Sequence, residues 1–221
     1  MGVRIKSRRG RGGGVEDVRF DNWTMEDVGQ GINVTNFYLM EGEVRTDEEP
    51  VSKRTPVFRN IAVSHFTMNR ARVAINIEGL PESPISGLRI SDVIASGKAG
   101  MKAYNTVALE LHHVQVNPDS GPAFLVKDSK ELELDGVSTR KPSAQAPVIR
   151  IDRCPGAVVR ASRAFGGTGT FLSTGRGELK SIVLEGNALA SARKATEESA
   201  ADFWQTAEPP TEHETTTSSK R

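Results

Sequence analysis

Ile85-Ser86-Gly87-Leu88-Arg89-Ile90 places its apolar residues as Phe58-Arg59-Asn60-Ile61-Ala62-Val63 does, and both repeat Val15-Glu16-Asp17-Val18-Arg19-Phe20. The shared pattern is apolar-x-x-apolar-x-apolar, with a polar residue or glycine before the second apolar position. Looser copies follow at Val107 to Val116, Ser129 to Val137, Gly156 to Ala161 and Leu179 to Leu184. Between them runs a second set of short period-two stretches: Gly31 to Val34, Val73 to Ile77, Ala123 to Val126, Val148 to Ile151 and Thr170 to Leu172. Period two is the signature of a strand with one face buried. Turn residues separate the copies, as in Gly79-Leu80-Pro81 and Pro118-Asp119-Ser120-Gly121.

Short strands recurring at a near-constant period of about 20–25 residues describe one coil of a solenoid, which buries its inner face only by stacking on the next coil. The reading is an all-β solenoid over residues 1–189. A β-sandwich with evenly spaced strands and a left-handed hexapeptide helix are the alternatives. The first lacks a reason for a constant repeat, and the second needs a six-residue period that is not seen. The long first step holds Glu41 to Pro56, a polar loop. Beyond Leu189 the composition changes. Residues 190–221 are read as a short helix over the alanine- and glutamate-rich Ala190 to Trp204, capping the last coil, and a disordered tail from Glu208.

Composition narrows the function. Of 221 residues 37% are hydrophobic and 26% charged, and the formal net charge of +1 gives no overall field for polyanions, so any anion binding must be local. The single cysteine, Cys154, excludes an intramolecular disulfide and reads as a small buried hydrophobe rather than a catalytic thiol. No apolar run approaches the roughly 20 residues of a membrane-spanning helix. Met1 to Gly14 is basic and glycine-rich without the apolar stretch of a signal peptide.

The most informative strand is Gly2-Val3-Arg4-Ile5-Lys6. Alternation sends Val3 and Ile5 inward and puts Arg4 and Lys6 side by side on the outer face. A planar guanidinium beside a mobile ammonium makes a clamp for a carboxylate, although a charged outer strand face is by itself ordinarily just solvated. His112-His113 point to opposite faces of a strand, and His65 and His213 lie far from them, so no metal site is read. Glu26-Asp27 and Asp47-Glu48-Glu49 are read as turn and loop residues rather than an acid–base pair. Arg8 to Gly14 has the look of an RGG segment, but no interleaved aromatics or second basic cluster accompany it, so nucleic acid is not the expected partner. Asn22-Trp23-Thr24 and Asn33-Val34-Thr35 fit the glycosylation sequon.

Gly2-Val3-Arg4-Ile5-Lys6-Ser7, followed by Arg9-Gly10-Arg11-Gly12-Gly13, resembles the Arg-Ile-Lys motif of glycoside hydrolase family 28 and its glycine-rich sequel. Val15 to Phe20, Trp23-Thr24-Met25 and Ile77-Glu78-Gly79-Leu80-Pro81-Glu82-Ser83-Pro84-Ile85-Ser86-Gly87-Leu88 are similar to stretches of that family in the same order. The resemblance covers roughly residues 2 to 140 and fades toward Leu189. It implies a right-handed parallel β-helix and inverting hydrolysis of α-1,4-galacturonosyl bonds in pectin, with one carboxylic acid and one carboxylate as acid and base. The implied substrate-binding residues are Arg4, Lys6 and Tyr38. Phe37 and Leu39 would flank Tyr38 inward; the other role open to this tyrosine is packing beneath a loop. No cofactor is implied. The implied partner is a galacturonate-containing polysaccharide, and the implied setting of the full-length protein is secreted or periplasmic.

The family's Asn-Thr-Asp, Asp-Asp and Gly-His-Gly-type motifs, which precede Arg-Ile-Lys, do not occur in these 221 residues. No catalytic residue is therefore assigned. The expectation is that the chain comprises C-terminal coils of a larger domain and is inactive alone. The alternatives are a non-catalytic polyuronate-binding module and a structural solenoid covered at one end by a partner.

Overall fold

A computed structural model describes residues 1–38, 48–201 and 203. In chain order the strands are β1 (Val3–Lys6), β2 (Gly14–Glu26), β3 (Gln30–Thr35), β4 (Val57–Glu78), β5 (Ile85–Pro118), β6 (Phe124–Lys130), β7 (Glu133–Asp135), β8 (Ile149–Asp152), β9 (Val158–Arg160), β10 (Thr170–Thr174), β11 (Val183–Glu185) and β12 (Lys194–Glu198). A single 3₁₀ turn, Leu179–Ser181, interrupts them among the described residues. Every strand pairing is parallel, and the chain forms a β-solenoid of about seven turns.

The first sheet runs β1-β3-β4-β5-β6-β8-β10-β12. Its register stacks like on like. Val3, Ile32, Ile75, Met101, Phe124, Ile149 and Leu172 form one inward column, and Ile5, Val34, Ile77, Ala103, Val126 and Ile151 form the next. Burying such a side chain contributes about 1.5–3 kcal/mol, and each rung supplies the apolar partner of its neighbours. The columns end on polar residues at β12, where Thr196 follows Leu172, and Glu198 follows Thr174. At the other end of the solenoid Val15, Val18 and Phe20 of β2 are only partly covered, and Trp23 is 43% exposed while stacking on Phe66.

The second sheet holds β2, the first halves of β4 and β5, the last part of β5, and then β7, β9 and β11. The strands β4 and β5 are long because they continue around corners. Residues in the left-handed region make the bends, among them Asn22, His65, Asp92 and His113 at one corner of successive coils. Small polar side chains tolerate that conformation best, which explains why these positions interrupt the apolar pattern. Gly79 serves a different need: a Cβ there would stand 1.9 Å from the Asn105 carbonyl oxygen, so only glycine lets the two coils approach.

The short helix expected over 190–204 is not present where the chain is described. Lys194–Glu198 is strand β12, paired in parallel with β10, and the Ser199 N–H continues the ladder to the Thr174 carbonyl. The open edge of β10 offers a row of unpaired donors and acceptors, and meeting it outweighs the tenths of a kcal/mol per residue by which alanine and glutamate favour helix. The tail from Glu208 lies outside the described residues, as does the stretch 39–47 of the polar loop.

Candidate functional site

β1 delivers Arg4 and Lys6 to the outer face of the first sheet as alternation requires, with Val3 and Ile5 buried beneath. The chain re-enters beside them after β3. The Tyr38 N–H donates to the Ser7 carbonyl at 3.2 Å, while Phe37 is buried. Tyr38 therefore lies next to β1 although 31 residues separate it from Ser7 in sequence. The Lys6 ammonium sits 4.3 Å from the Tyr38 ring centroid and the Arg4 guanidinium 5.5 Å from it. The three residues singled out from the sequence thus meet at one place. Leu39 lies outside the described residues.

Neither cation meets a carboxylate among the described residues, and both are exposed. The aromatic face attracts each of them by about 0.5–1 kcal/mol, enough to bias the side chains without neutralising them. The neighbouring arginine behaves otherwise. Arg9 donates through Nε at 2.7 Å and through Nη2 at 2.8 Å to the Glu82 carboxylate, and through Nη1 at 3.0 Å to Glu49. Hydrogen bonding to Glu82 raises the Arg9 pKa. Burial opposes ionisation of Glu82, but the bonds from Arg9 outweigh it and hold the carboxyl below its usual range. Arg9 pins the glycine-rich turn to the Gly79–Ser83 connection, and Gly10 and Gly12 donate to the Arg54 carbonyl. The basic run from Arg8 is in this part a structural joint.

Behind the clamp the outer face of the first sheet is polar and largely covered. Asn33 and Asn76 follow Arg4 in register, and Thr35 and Glu78 follow Lys6. Thr35 donates to Glu78 at 3.3 Å, Lys102 stands 3.3 Å from the same carboxylate, and Asn76 donates to Asn33 at 3.3 Å. Asn33 is 3% exposed, so its sequon is not accessible in this fold. Sequence reading missed this Glu78–Lys102 pair, whose members are 24 residues apart; the coil period was the signal that could have found it.

The other sites read from the sequence resolve differently. Glu26 and Asp27 both pair with Arg70, whose hydrogen bonds lower the Asp27 pKa. Cys154 is buried, and burial pushes its thiol up to about 12, far from a reactive thiolate. His112 and His113 diverge, because His113 occupies the left-handed corner and faces Asp92 at 3.5 Å. The stacking instead collects His112, Glu133 and Asp135 within 4.8 Å of one another, a grouping with metal-ligand chemistry that the sequence reading did not find. Arg160 binds both carboxylates of that group, at 3.1 Å to Asp135 and closely to Glu133, so the cluster is an arginine-centred ion network. Among the described residues no helix is long and apolar enough to cross a membrane.

Comparison with known proteins bears on the same stretch. Over 92 residues the chain is 30% identical to a probable polygalacturonase of Vitis vinifera, an alignment covering 42% of this chain and 18% of that protein. The chain therefore spans less than a fifth of the length of that relative by aligned residues. No solved structure is matched. The family model of the glycosyl hydrolases family 28 matches residues 1–114, which include Arg4, Lys6 and Tyr38, the three repeats at 15–20, 58–63 and 85–90, and the glycine-rich joint. With more than half of its length so matched, and with the parallel solenoid in place, the chain belongs to glycosyl hydrolases family 28.

Proposed function

We propose that this chain supplies the anionic-sugar-binding face of a polygalacturonase-type glycoside hydrolase acting on pectin. The observation that carries the reading is the arrangement of Arg4 and Lys6, two exposed cations on one rigid strand, each beside the Tyr38 ring and neither neutralised by a carboxylate among the described residues. A galacturonate unit carries a planar carboxylate and a ring with an apolar face. Arg4 grips the carboxylate through two parallel N–H bonds, Lys6 adds a point charge, and Tyr38 offers a surface on which the sugar ring lies. In the reaction, such a clamp holds the sugar beside the bond to be cleaved. Displacement with inversion then needs a carboxylic acid on the leaving oxygen and a carboxylate activating water, roughly 6.5–9.5 Å apart. We assign neither role to a residue of this chain, since Glu26, Asp27, Glu49 and Glu82 are committed to arginines. The full-length protein is proposed to work outside the cytoplasm, where its polysaccharide is found.

The test is calorimetric titration of a galacturonic acid trimer into the chain at low salt, alongside a reducing-end assay on polygalacturonate. Binding by the chain that falls at least tenfold in Arg4→Ala supports the reading. Equal affinity in the variant, or no binding by either protein, removes it. The chain alone is expected to release no reducing ends; robust release would place the acid and base within it.

A further inference from the structure

On the second sheet Arg59 pairs with Glu16 and Arg89 with Glu110. Beyond Lys6 the first sheet neutralises its cations too. Lys102 stands 3.3 Å from Glu78, and Arg150, 4% exposed, stands 2.6 Å from Asp152. Arg140 and Arg163 differ. Both are exposed, and neither meets a carboxylate among the described residues. Each lies instead on the same aromatic ring, the Arg140 guanidinium 4.0 Å and the Arg163 guanidinium 5.0 Å from the Phe165 centroid. The arrangement has the same parts as Arg4, Lys6 and Tyr38: two cations, one ring and no acid.

The chain assembles them on a short third face, between the left-handed corner of His113, Gly136 and Ala161 and the next strand of the first sheet. Gln115, Ser138, Arg163 and Ala188 pair there in parallel, one from each coil. Alternation buries Val137, Thr139, Ser162 and Ala164 and turns Ser138 and Arg163 outward. None of the neighbours in that column is an acid, so Arg163 has no partner on the rung before or after it. Arg140 lies two residues beyond Ser138, and its N–H donates to Asn117 Oδ1 at 2.7 Å. Asp119, in the adjoining loop, is 2.9 Å from Lys141 and is thereby used. Phe165 belongs to the next coil and heads a turn, where the Thr168 hydroxyl donates to its carbonyl at 2.7 Å. A ring fixed at a turn thus holds two guanidiniums from successive coils.

Two cations within 5.0 Å of one ring centroid are separated by no more than about one Debye length of 8–10 Å, so their repulsion is only partly screened. The ring offsets some of it, and an anion shared by the two guanidiniums offsets more. A carboxylate matches the planar fork of each arginine, and the half-buried Phe165 gives the sugar that bears it an apolar surface. We infer that Arg140, Arg163 and Phe165 form a second site for a carboxylated sugar, separate from the clamp of Arg4, Lys6 and Tyr38. From Arg4 the register runs through Asn33, Asn76, Lys102 and Leu125 to Arg150 on β8, five rungs or about 24 Å, and Arg140 lies on the coil that enters β8. The second site therefore stands well down the axis and on another face, beyond the stretch 1–114 that matches the family. Its ligand class rests on the proposed pectin-binding role of the chain. Arg140 comes from a loop and Arg163 from a single bridge, so more freedom is lost on binding than at a rigid strand, and the site is expected to be at least tenfold weaker than the clamp. On a polymer with many carboxylates such a site keeps the chain attached when the clamp lets go.

The experiment is calorimetric titration of a galacturonic acid trimer, at low salt, into the full chain, into Arg4→Ala, and into Arg4→Ala carrying Arg140→Ala and Arg163→Ala as well. The three side chains are exposed, so the variants are expected to fold. Arg4→Ala is expected to retain one weak site, and the two further substitutions to weaken it at least fivefold. The methyl-esterified trimer, which has the same rings without the charge, is expected not to bind Arg4→Ala. Equal binding of the trimer by the two variants, or none by either, overturns the inference while the loss between the full chain and Arg4→Ala leaves the clamp standing. Equal binding of the ester and the acid by Arg4→Ala also overturns it, because the site would then not read charge. If Arg4→Ala binds as tightly as the full chain and only Arg140→Ala with Arg163→Ala removes binding, the clamp reading has failed and the second site stands without it.

Discussion

On the outer face of the second sheet, charges answer one another from rung to rung. Arg59 stands 2.8 Å from Glu16, Arg89 2.6 Å from Glu110, and Arg160 3.1 Å from Asp135. On the outer face of the first sheet Arg4 and Lys6 have an aromatic ring in place of a carboxylate, while the buried Arg150 is paired with Asp152 at 2.6 Å. Both faces belong to the same coils, so the difference is not one of fold. Exposed pairs across neighbouring strands contribute a few tenths of a kcal/mol each and leave nothing for a ligand to bind. A cation without a carboxylate, held by a rigid strand, keeps its full attraction for an incoming anion.

The sharpest way to break this comparison is to remove one arginine from each face. Arg150→Ala strips the partly buried Asp152 carboxylate and the Ser199 carbonyl of their donor and removes one of the two donors to the Thr174 carbonyl. Deleting one partner of a buried charge pair costs about 3–5 kcal/mol. Arg89→Ala, on a side chain 60% exposed, is expected to stay within about 0.5 kcal/mol. Urea unfolding of the two variants measures both. Equal midpoints would mean that the first face is as solvated as the second, against the burial described above.

Binding gives the next largest effect. Charge-assisted hydrogen bonds contribute about 1.5–3 kcal/mol, so Arg4→Ala is expected to weaken a uronate trimer tenfold or more, whereas Arg59→Ala leaves it unchanged. Affinity is also expected to fall between 0.01 and 1 M salt, as the Debye length shrinks from about 30 to about 3 Å. Affinity independent of salt would point to a ligand recognised by its hydroxyls rather than its charge. Tyr38→Ala is expected to cost about 0.5–1 kcal/mol, a two- to fivefold loss, and Tyr38→Phe less, because the ring rather than the hydroxyl faces Lys6 and Arg4.

What could be read in the sequence and what could not divide along a physical line. Periodic apolar positions exposed the coils because stacking makes each repeat bury the same places; hence Gly31 to Val34 and Val73 to Ile77 fall on β3 and β4, and Val148 to Ile151 meets β8 to within one residue. Arg4, Lys6 and Tyr38 were legible because a motif and an alternation both marked them. Lys194–Glu198 was not legible as a strand. Its Lys-Ala-Thr-Glu-Glu has neither apolar alternation nor β-branched content beyond Thr196, and only the open edge of β10 makes it one. The pairs Arg9–Glu82, Glu78–Lys102 and His112–Asp135 were equally hidden. They join different coils, and sequence shows which residues can pair only once the register is known.

The smallest effect tests the second face on its own terms. His65 Nδ1 lies 2.6 Å from Asp21, which also accepts from Ser64 at 2.7 Å, with Asp92 4.0 Å from the other ring nitrogen. The hydrogen bond to Asp21 raises the His65 pKa above its ordinary 6.5, and the same bond holds Asp21 below its ordinary 3.8. A raised histidine stabilises the fold fully below 6.5 and ceases to do so as pH rises through its folded value. A lowered aspartate stabilises it above 3.8 and ceases to do so as pH falls through its own. Their joint contribution is therefore complete only between those two limits, and it is small because both groups are open to water. NMR titration of His65 is expected to show a midpoint above 6.5 that returns toward it in Asp21→Asn. If the midpoint does not move, the ladder of charges on the second face is geometry without coupling, and the contrast with Arg4 and Lys6 rests on the first face alone.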